Sequence, residues 1–239
     1  MILELDAGNT FIKWRLLDRN QVCERGKFLT ASDEWIWPAC CNHLTEVRVA
    51  SVAGKDVNNR LIDQIKKLSA CVPEFACTVG SVAGVVNSYS DPSRMGVDRW
   101  LAMLAAYSEC KRACCIVDCG SAITVDYLSD DGQHLGGYII PGLRLLNAAL
   151  LQNTAEVIVD QDIKAFDLSP GKNTSTAVTH GVNYLFDSLC QKICSELEVQ
   201  SEPCALYITG GDGALFHQLA GQGKFVPDLV MDGLQWSVG

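Results

Sequence analysis

Apolar residues at the start of the chain form two short runs that are separated by turn residues. Residues 1–5 are apolar except for Glu4, and a second run covers residues 11–17. Residues 6–9 between them read Asp-Ala-Gly-Asn, which are residue types that favour tight turns. Two short runs joined in this way predict a β-hairpin. A further strand is predicted at residues 46–52.

The same pattern returns in the second half of the chain. Residues 113–117 form an apolar run, residues 118–121 read Asp-Cys-Gly-Ser, and residues 122–128 resume the apolar pattern. Both halves therefore begin with a strand, an Asp-x-Gly-Asn/Ser turn and a returning strand. Additional strands are predicted at residues 134–140 and 205–209. Helices are predicted where apolar residues recur at helical spacing, at residues 58–68, 93–108, 143–151, 174–197 and 214–220.

Strands mix with helices in the second half, which indicates an α/β fold. The repeated opening pattern places a boundary near residues 107–113. We therefore expect a first lobe at residues 1–110 and a second lobe at residues 111–239. The length alone would allow one large domain or two smaller ones.

The composition excludes several classes of function. A net charge of −9 and a pI near 4.9 make nucleic acid an unexpected partner, because its binding depends on Lys and Arg contacts. No apolar run of about 18 residues is present, so we expect no membrane association. The first residues lack the pattern of a secretion signal, which favours a cytoplasmic protein with reduced thiols. Most of the twelve cysteines are then expected to be small buried residues, since they lack metal-ligand spacing.

The two Asp-x-Gly turns are the first candidates for chemistry. Glycine permits close approach of a ligand, and successive N–H groups of a turn can point at phosphate oxygens. Asp6 would repel a bare triphosphate, so it would hold Mg²⁺ directly or through water while Lys13 adds positive charge. Asp118 is placed to bind a cation and Ser121 to donate to a phosphate. A plain hairpin turn would explain either turn alone, whereas the repetition favours two turns that face one another across a cleft.

A third glycine turn follows the predicted strand at residues 205–209. It reads Thr209-Gly210-Gly211-Asp212 and leads into a predicted helix. Small residues there would let a flat ring lie against the backbone, and the helix N-terminus favours negative charge. An ordinary strand-to-helix turn is the alternative.

Together these turns resemble the nucleotide site of the acetate kinase, sugar kinase, Hsp70 and actin superfamily, and within it the type III pantothenate kinases. The resemblance rests on five motifs that occur in the family's order and cover most of the chain. They are Asp6-Ala7-Gly8-Asn9-Thr10, Gly96-Val97-Asp98-Arg99, Asp118-Cys119-Gly120-Ser121-Ala122, the Gly-Gly-Tyr-Ile-Ile-Pro-Gly of residues 136–142, and Thr209-Gly210-Gly211-Asp212. The implied fold is α/β, with two similar actin-like or ribonuclease H-like lobes, mixed sheets flanked by helices, and a nucleotide cleft between the lobes.

The resemblance also implies roles for individual residues. ATP phosphates would be bound by Ser121, where the family usually has threonine, and by Asp6, Ala7, Gly8, Asn9, Thr10, Phe11, Ile12 and Lys13. Pantothenate would be bound by Tyr89, Gly96, Val97, Asp98, Arg99 and Thr174. Asp98 would be the catalytic base, and Asp118 would bind the monovalent cation, K⁺ or NH₄⁺, on which family members depend. Mg²⁺ would accompany ATP, and family members are homodimers with the substrate pocket at the interface.

The chemistry of pantothenate agrees with two of these roles. Its carboxylate suits the paired donors of Arg99, and its primary hydroxyl must lose a proton as it attacks the γ-phosphorus. Asp98 lies near the start of a predicted helix, which favours the ionised form and makes it a weak base. Phosphoryl transfer through a loose transition state needs mainly alignment and late proton acceptance. A surface charge pair at a helix start is the alternative for both residues.

Two other functions remain open from the sequence. Another kinase of the superfamily would act on a sugar or a carboxylic acid, although a sugar pocket needs several Asp, Asn and Glu side chains. A nucleotide-binding regulator would keep the fold without turnover, since some relatives are described as transcription activators. The four histidines show no mutual spacing, and none is assigned a role. The resemblance to type III pantothenate kinases thus implies ATP-dependent phosphorylation of pantothenate to 4′-phosphopantothenate, the first step of coenzyme A biosynthesis.

Overall fold

The described part of the chain forms two compact units, each built around its own sheet. The computed structural model describes residues 1–38, 41, 43–153, 166–199 and 203–237. The first unit comprises Met1–Lys111, Leu128–Leu135 and Asp228–Gly239, and the second comprises Arg112–Tyr127 and Gly136–Pro227. The sequence predicts lobes at residues 1–110 and 111–239. In the structure the first segment of the first unit ends at Lys111, and this unit also includes residues 128–135 and 228–239 from the second half of the sequence.

Contacts within the first unit explain why it includes those two segments. The Tyr107 hydroxyl donates to the carbonyl oxygen of Asp130 at 3.0 Å, which fastens residues 128–135 to this unit. Gly233 packs so closely on the backbone of Leu101 that a Cβ atom would overlap it. A sequence pattern does not reveal such contacts, because the partners lie far apart along the chain.

The sheet of the first unit begins with the predicted hairpin. In chain order its strands are β1 (Ile2–Ala7), β2 (Phe11–Asp18), β3 (Gln21–Leu29), β4 (Glu46–Ser51) and β5 (Glu74–Phe75). Across the sheet they lie in the order β3-β2-β1-β4-β5, with β1 antiparallel to β2 and parallel to β4. β3 is not among the predicted strands, because its residues are mostly exposed and its apolar residues do not alternate regularly with polar ones. A separate two-stranded hairpin follows, formed by β6 (Ser81–Val82) and β7 (Val85–Val86).

The sheet of the second unit repeats the same topology. In chain order its strands are β8 (Cys114–Cys119), β9 (Ala122–Leu128), β10 (His134–Pro141), β11 (Ala205–Thr209) and β12 (Lys224–Phe225). They lie in the order β10-β9-β8-β11-β12, which matches the first sheet strand for strand. β8 pairs in parallel with β11, as β1 does with β4. The prediction of an α/β fold with two similar lobes and mixed sheets is confirmed.

Six α-helices accompany these sheets in the described residues. They are α1 (Lys55–Leu68), α2 (Val97–Cys110), α3 (Leu143–Asn153), α4 (Thr174–Glu198), α5 (Gly213–Ala220) and α6 (Leu229–Gly233). The predicted helix at 93–108 begins too early, because residues 92–94 form a separate 3₁₀ turn that starts with proline. α6 is not among the predicted helices, since five residues are too few to show a periodicity. In the part of the chain that is described, no helix is both long and apolar enough to cross a membrane.

Each unit has its own hydrophobic core. In the first unit, α2 is buried along most of its length, and its Trp100 is fully buried. In the second unit, Cys115, Cys119 and Cys190 pack among aliphatic and aromatic side chains. These thiols act as small apolar core residues. The sequence predicts burial for most cysteines, whereas five of the eleven described ones are buried. Burial raises the pKa of Cys190 to about 12, so its thiol stays protonated near neutral pH.

A row of charged side chains crosses the first sheet on one face. Arg25, Arg15, Glu4, Arg48 and Glu74 occupy adjacent register positions on the five strands from β3 to β5. Side chains directly opposite one another on paired strands share a face, so these residues form one row. Glu4 is buried and accepts from Arg15 Nε at 2.7 Å and from Arg48 Nη1 at 3.4 Å. We call this set the charged row.

The charged row holds the C-terminal segment on the first sheet. Arg15 Nη1 lies 2.6 Å from Asp232 Oδ1, and Arg25 Nη1 lies 2.9 Å from Asp228 Oδ2. Asp228 is also 3.9 Å from Arg15 Nη1, so its carboxylate offsets the repulsion between two neighbouring arginines. Removing one partner from such a buried network leaves uncompensated charge, which is strongly destabilising.

Candidate functional site

The turn between β1 and β2 carries the first group of predicted site residues. Asp6 is the fifth residue of β1 and lies opposite Lys13 of β2. The Lys13 ammonium is 3.9 Å from Asp6 Oδ2, and only 16% of the Asp6 side chain is exposed. The predicted pair of a carboxylate and a lysine is therefore brought together at the end of the hairpin.

The backbone of this turn is fixed by Thr30, which follows β3. The Thr30 hydroxyl donates to the Gly8 carbonyl oxygen at 2.8 Å, and its N–H donates to the Thr10 carbonyl oxygen at 3.0 Å. The Gly8 N–H donates within the turn to the Phe11 carbonyl oxygen at 3.0 Å. Gly8 thus gives a ligand room to approach, while its own N–H is used by the turn. Thr30 is a supporting residue that sequence reasoning misses.

Two of the predicted phosphate-binding positions have side chains in the core. Ala7 and Ile12 are fully buried in the hydrophobic cluster of the first unit. Either position could bind a ligand only through its backbone. Phe11 is partly exposed, and the Lys27 ammonium lies 4.9 Å from the centre of its ring. This contact brings a second cation close to the turn, next to Lys13 in the register of β2 and β3.

The electrostatics of Asp6 distinguish it from an ordinary turn aspartate. Burial raises its pKa to about 6, against the opposing effect of Lys13. The carboxylates of Asp98 and Asp228 raise the pKa further, because like charges disfavour ionisation. Two carboxylates of the first unit therefore act on a third here. Asp98 is among the predicted site residues. Asp228 is not, because only folding of the chain brings it close to Asp6.

Asp98 lies in the first turn of α2, as predicted. Its Oδ1 accepts a hydrogen bond from the Arg99 N–H at 2.8 Å, one of the N–H groups that a helix start leaves without a helical partner. A Cβ atom on Gly96 would lie 2.5 Å from the same oxygen, so a larger residue there would displace the carboxylate from this position. The motif at residues 96–99 thus fixes the Asp98 carboxylate at the beginning of the helix.

Arg99 and Tyr89 are also brought together. Arg99 Nη1 donates to the Tyr89 hydroxyl at 3.0 Å, and the guanidinium carbon lies 5.8 Å from the centre of the tyrosine ring. Arg99 is buried, with only 5% of its surface exposed. A buried arginine next to Asp98 is a suitable binding group for a carboxylate, since guanidinium groups bind carboxylates through two parallel donors.

The turn between β8 and β9 resembles the first turn and is one residue shorter. Asp118 is the fifth residue of β8, and the Gly120 N–H donates within the turn to the Ala122 carbonyl oxygen at 3.0 Å. The Cys119 carbonyl oxygen accepts from the Asp212 N–H at 2.9 Å, just as the Ala7 carbonyl oxygen accepts from the residue after β4. The repeated motif in the sequence is therefore a repeated structure.

Two glycines that follow β10 and β11 pack against this second turn. The Gly142 N–H donates to the Ser121 carbonyl oxygen at 3.0 Å, and a Cβ atom on Gly142 would lie 2.5 Å from the Gly120 carbonyl oxygen. Gly210 has a φ of +92°, and a Cβ atom there would overlap the Asp118 carboxylate and the Cys119 backbone. The glycines after β10 and β11 are thus required by the second turn, which the sequence does not indicate.

Replacing Gly210 with alanine is therefore expected to destabilise the second turn. A positive φ and a blocked Cβ position together should lower the free energy of unfolding by about 2 kcal/mol or more. Gly211 is the matched control, because a Cβ atom there meets nothing within 4 Å. Urea unfolding of Gly210→Ala and Gly211→Ala measures the difference. Equal stability of the two variants would contradict the tight packing described for Gly210.

Asp212 lies in the third glycine turn, between β11 and α5, and interacts with a cation from α3. Burial raises the pKa of Asp212, and the nearby Arg144 opposes that effect. The Asp118 and Asp212 carboxylates add to burial in raising the pKa of the Cys119 thiol above its usual range. Among the described residues, no group of three His, Cys, Asp or Glu side chains is arranged to hold a metal ion. A cation at Asp118 would need further oxygen ligands, such as backbone carbonyl groups.

Thr174 belongs to the second unit and lies at the start of α4. The helix begins with a reciprocal cap, in which the Asn173 side chain accepts from the Thr176 N–H at 2.8 Å. Thr174 lines a cavity of about 660 Å³ with mainly apolar walls, to which Lys172 and Leu185 also contribute. A cavity of this size would accommodate part of a small substrate.

Comparisons with known proteins agree with this description. A family model described as type III pantothenate kinase matches residues 2–196. A curated type III pantothenate kinase of Marinobacter nauticus is 36% identical over 237 residues, which cover 98% of this chain and 97% of that protein.

Two solved structures share the fold at low sequence identity. A Baf family transcriptional activator from Campylobacter jejuni has a TM-score of 0.58 at 20% identity, over 98% of this chain and 95% of its own. A 2-dehydro-3-deoxygalactonokinase protein from Sinorhizobium meliloti has a TM-score of 0.54 at 13% identity, over 98% and 97%.

Proposed function

This chain belongs to the type III pantothenate kinase family, and we propose that it transfers the γ-phosphoryl group of ATP to pantothenate. The product would be 4′-phosphopantothenate, for coenzyme A biosynthesis. The observation that carries this proposal is the arrangement at the start of α2, where Asp98 lies beside a buried Arg99 that donates to Tyr89. A carboxylate clamp next to a base suits a substrate with one carboxylate and one reacting hydroxyl.

We propose that Arg99 and Tyr89 bind the carboxylate end of pantothenate, and that Gly96 and Val97 line the same site. The guanidinium is held at Tyr89 by one of its donors, so its orientation is fixed before a substrate arrives. A preorganised donor loses less entropy on binding than a mobile one. Val97 is buried in the core, so this position would contribute through its backbone.

Asp98 is proposed as the base. Its carboxylate accepts the Arg99 N–H with one oxygen, which keeps the group oriented at the helix start. The second oxygen would receive the proton of the pantothenate hydroxyl as that hydroxyl attacks the γ-phosphorus. In a loose transition state the proton leaves late, so orientation of the carboxylate contributes more than its basicity.

The two glycine turns are proposed to bind the phosphates of ATP. In the first turn, Asn9, Thr10 and Lys13 would donate to phosphate oxygens, and in the second Ser121 would do so. Mg²⁺, which accompanies ATP in such kinases, supplies positive charge that neutralises the phosphates. The donor set fits this ion, because Asp6 is a mostly buried carboxylate that Asp98 and Asp228 repel, and a cation would stabilise its ionised form.

Asp118 is proposed to bind a monovalent cation, K⁺ or NH₄⁺. The residue stands in β8 at the position that Asp6 has in β1, and backbone carbonyl oxygens of the second turn would complete the set of ligands around its carboxylate. Oxygen ligands of this kind suit hard cations. In this arrangement Mg²⁺ would bind at the first turn, and K⁺ or NH₄⁺ would bind at the second.

We further propose that the protein acts as a homodimer, with Thr174 contributing to the substrate pocket at the interface. Large apolar side chains are exposed on three elements of the second unit, namely Tyr138 and Ile139 on β10, Leu145 on α3, and Tyr184 on α4. Exposed apolar groups of this number mark surfaces that bind another protein. A second copy of the chain would cover them.

Pantothenate-dependent release of ADP tests the proposed reaction. ADP should appear when the protein receives MgATP and pantothenate, and it should appear faster in KCl than in NaCl of equal ionic strength. Parallel reactions with hexoses and glycerate examine the competing kinase functions. ADP release with a hexose but not with pantothenate would contradict the proposal, and absence of turnover with every acceptor would favour a nucleotide-binding regulator.

A further inference from the structure

We propose that His134 is a positioning residue for binding of the substrate carboxylate. It holds Tyr89 in place, and Tyr89 in turn orients Arg99, which binds the carboxylate. The inference rests on the proposed function, because it assumes that Arg99 binds the carboxylate of pantothenate. His134 is the first residue of β10 and belongs to the first unit, with Tyr89 and Arg99. It has no part in the reaction itself.

The first observation is that the imidazole of His134 is buried in a polar contact. The residue is 4% exposed, and its Nδ1 lies 2.8 Å from the Ser88 hydroxyl oxygen, at hydrogen-bond distance. Buried polar side chains are nearly always hydrogen-bonded, and such bonds fix the orientation of both partners. Ser88 directly precedes Tyr89, so the bond restrains the backbone from which the tyrosine projects.

The second observation is that Tyr89 is also restrained by its own surroundings. The tyrosine and imidazole ring centres are 6.3 Å apart, within the range of aromatic contacts. The Tyr89 N–H donates to Asn87 Oδ1 at 2.9 Å, and Asn87 is itself buried. The tyrosine is thus held at its backbone by Asn87 and at its ring by His134.

The third observation is the bond from Tyr89 to Arg99. Arg99 Nη1 donates to the tyrosine hydroxyl at 3.0 Å. A continuous series of contacts therefore runs from Ser88 and His134 through Tyr89 to the guanidinium. A displacement of about 1 Å in a substrate-binding group can lower a rate by about 100-fold. Loosening Tyr89 should accordingly affect how well Arg99 binds a carboxylate.

The backbone around His134 is anchored independently of its side chain. The Val86 N–H donates to the Gly132 carbonyl oxygen at 3.0 Å, and Val86 forms a β-bridge with Gln133. Tyr107 donates to the Asp130 carbonyl oxygen at 3.0 Å. These bonds keep the two loops together when the histidine is replaced. A substitution of the side chain should therefore change the position of Tyr89 more than the fold.

The test compares pantothenate with its alcohol analogue, in which a hydroxymethyl group replaces the carboxylate. His134→Leu removes the bond to Ser88 at similar volume, and it should lower the preference for pantothenate, measured as the ratio of kcat/KM values, by about tenfold. The KM for ATP should stay within about twofold, because ATP does not use this contact. His134→Asn keeps a polar atom near the Nδ1 position and should retain more of the preference than His134→Leu.

His43→Leu is the matched control, since His43 is an exposed histidine of the same unit. The His43→Leu variant should prefer pantothenate over the alcohol analogue as strongly as the unaltered protein does. An unaltered preference in His134→Leu would overturn the inference, and so would an asparagine variant as impaired as the leucine variant. If circular dichroism shows that His134→Leu does not fold, Ser88→Ala takes its place, with a smaller loss of preference expected and no loss overturning the inference.

Arg99→Met separates this inference from the proposed function. If Arg99→Met lowers the preference for pantothenate and His134→Leu does not, only the role of His134 is wrong. If Arg99→Met itself leaves the preference unaltered, the carboxylate clamp is wrong and the role of His134 falls with it.

Discussion

Asp98→Asn is expected to lower kcat by two to four orders of magnitude, the usual contribution of a positioned base. Asparagine has the same shape and keeps an oxygen that can accept the Arg99 N–H, so the helix start should stay intact. It cannot accept the proton of the substrate hydroxyl. ATP should still bind, with a Kd within a few-fold of the unaltered protein as measured by titration calorimetry.

Asp91→Asn is the control for this result. Asp91 also accepts a backbone N–H at the start of a helical turn, from Ser93 at 3.1 Å, but it is exposed. Its kcat should be close to that of the unaltered protein. A kcat for Asp98→Asn within tenfold of the unaltered value would rule out Asp98 as the base, and the start of α2 would then only bind substrate.

Asp6→Asn is expected to abolish ADP release and, at the same time, to stabilise the ligand-free protein at neutral pH. In the folded protein the pKa of Asp6 is raised from an ordinary value near 3.8 to about 6, mainly by burial. Between these two pKa values the folded state binds the proton more tightly than the unfolded state. The free energy of unfolding therefore falls as the pH rises from about 4 to about 6, and it stays low above that range.

Asparagine removes this penalty because it has no charge to bury. At pH 7.5 the variant should unfold with a free energy on the order of 2 kcal/mol higher, and the difference should disappear near pH 4. Urea unfolding at both pH values measures it, with Asp18→Asn at the exposed end of β2 as the control. A variant less stable than the unaltered protein at pH 7.5 would show that Lys13 and other partners outweigh the burial of Asp6.

The two variants together would distinguish residues that serve function from residues that serve folding. A carboxylate that destabilises the free protein but is needed for turnover is kept for its ligand, since natural proteins commonly carry such strain at active sites. Asp6 is predicted to be of this kind, because a bound cation would offset the repulsion from Asp98 and Asp228. Asp98 itself is predicted to matter for the reaction alone.

Much of the fold could be predicted from local patterns. The hairpin of β1 and β2 is indicated by two apolar runs around residues 6–9, and its repetition at residues 113–128 indicates the second unit. β3 could not be predicted, because its mostly exposed residues show no regular alternation of apolar and polar positions. Its existence follows from pairing with β2, which supplies the hydrogen bonds that its backbone needs.

The candidate site could be predicted where the motif is local and not where it depends on distant residues. The pairing of Asp6 with Lys13 follows from hairpin geometry, and the place of Asp98 follows from the helix start. Asp228 lies more than 200 positions from Asp6 in the sequence, so no local pattern relates them. Thr30 is missed for the same reason, and so is the contact of Gly142 with the second turn, although Gly142 itself belongs to the predicted motif at residues 136–142. The facing of the two glycine turns across one cleft stays a prediction.

The charged row has a consequence for how the chain is made. Arg15 reaches an aspartate 217 positions later, so the acidic partners of Arg15 and Arg25 leave the ribosome only near the end of translation. Until then the nascent sheet carries two adjacent arginines on the face that α6 later occupies. The first unit is translated first, but it cannot complete its fold until the C-terminal residues have been made. Long sequence separation of this kind slows folding and prolongs exposure to aggregation. A nascent chain halted before residue 228 should therefore depend on chaperones more than one released at full length.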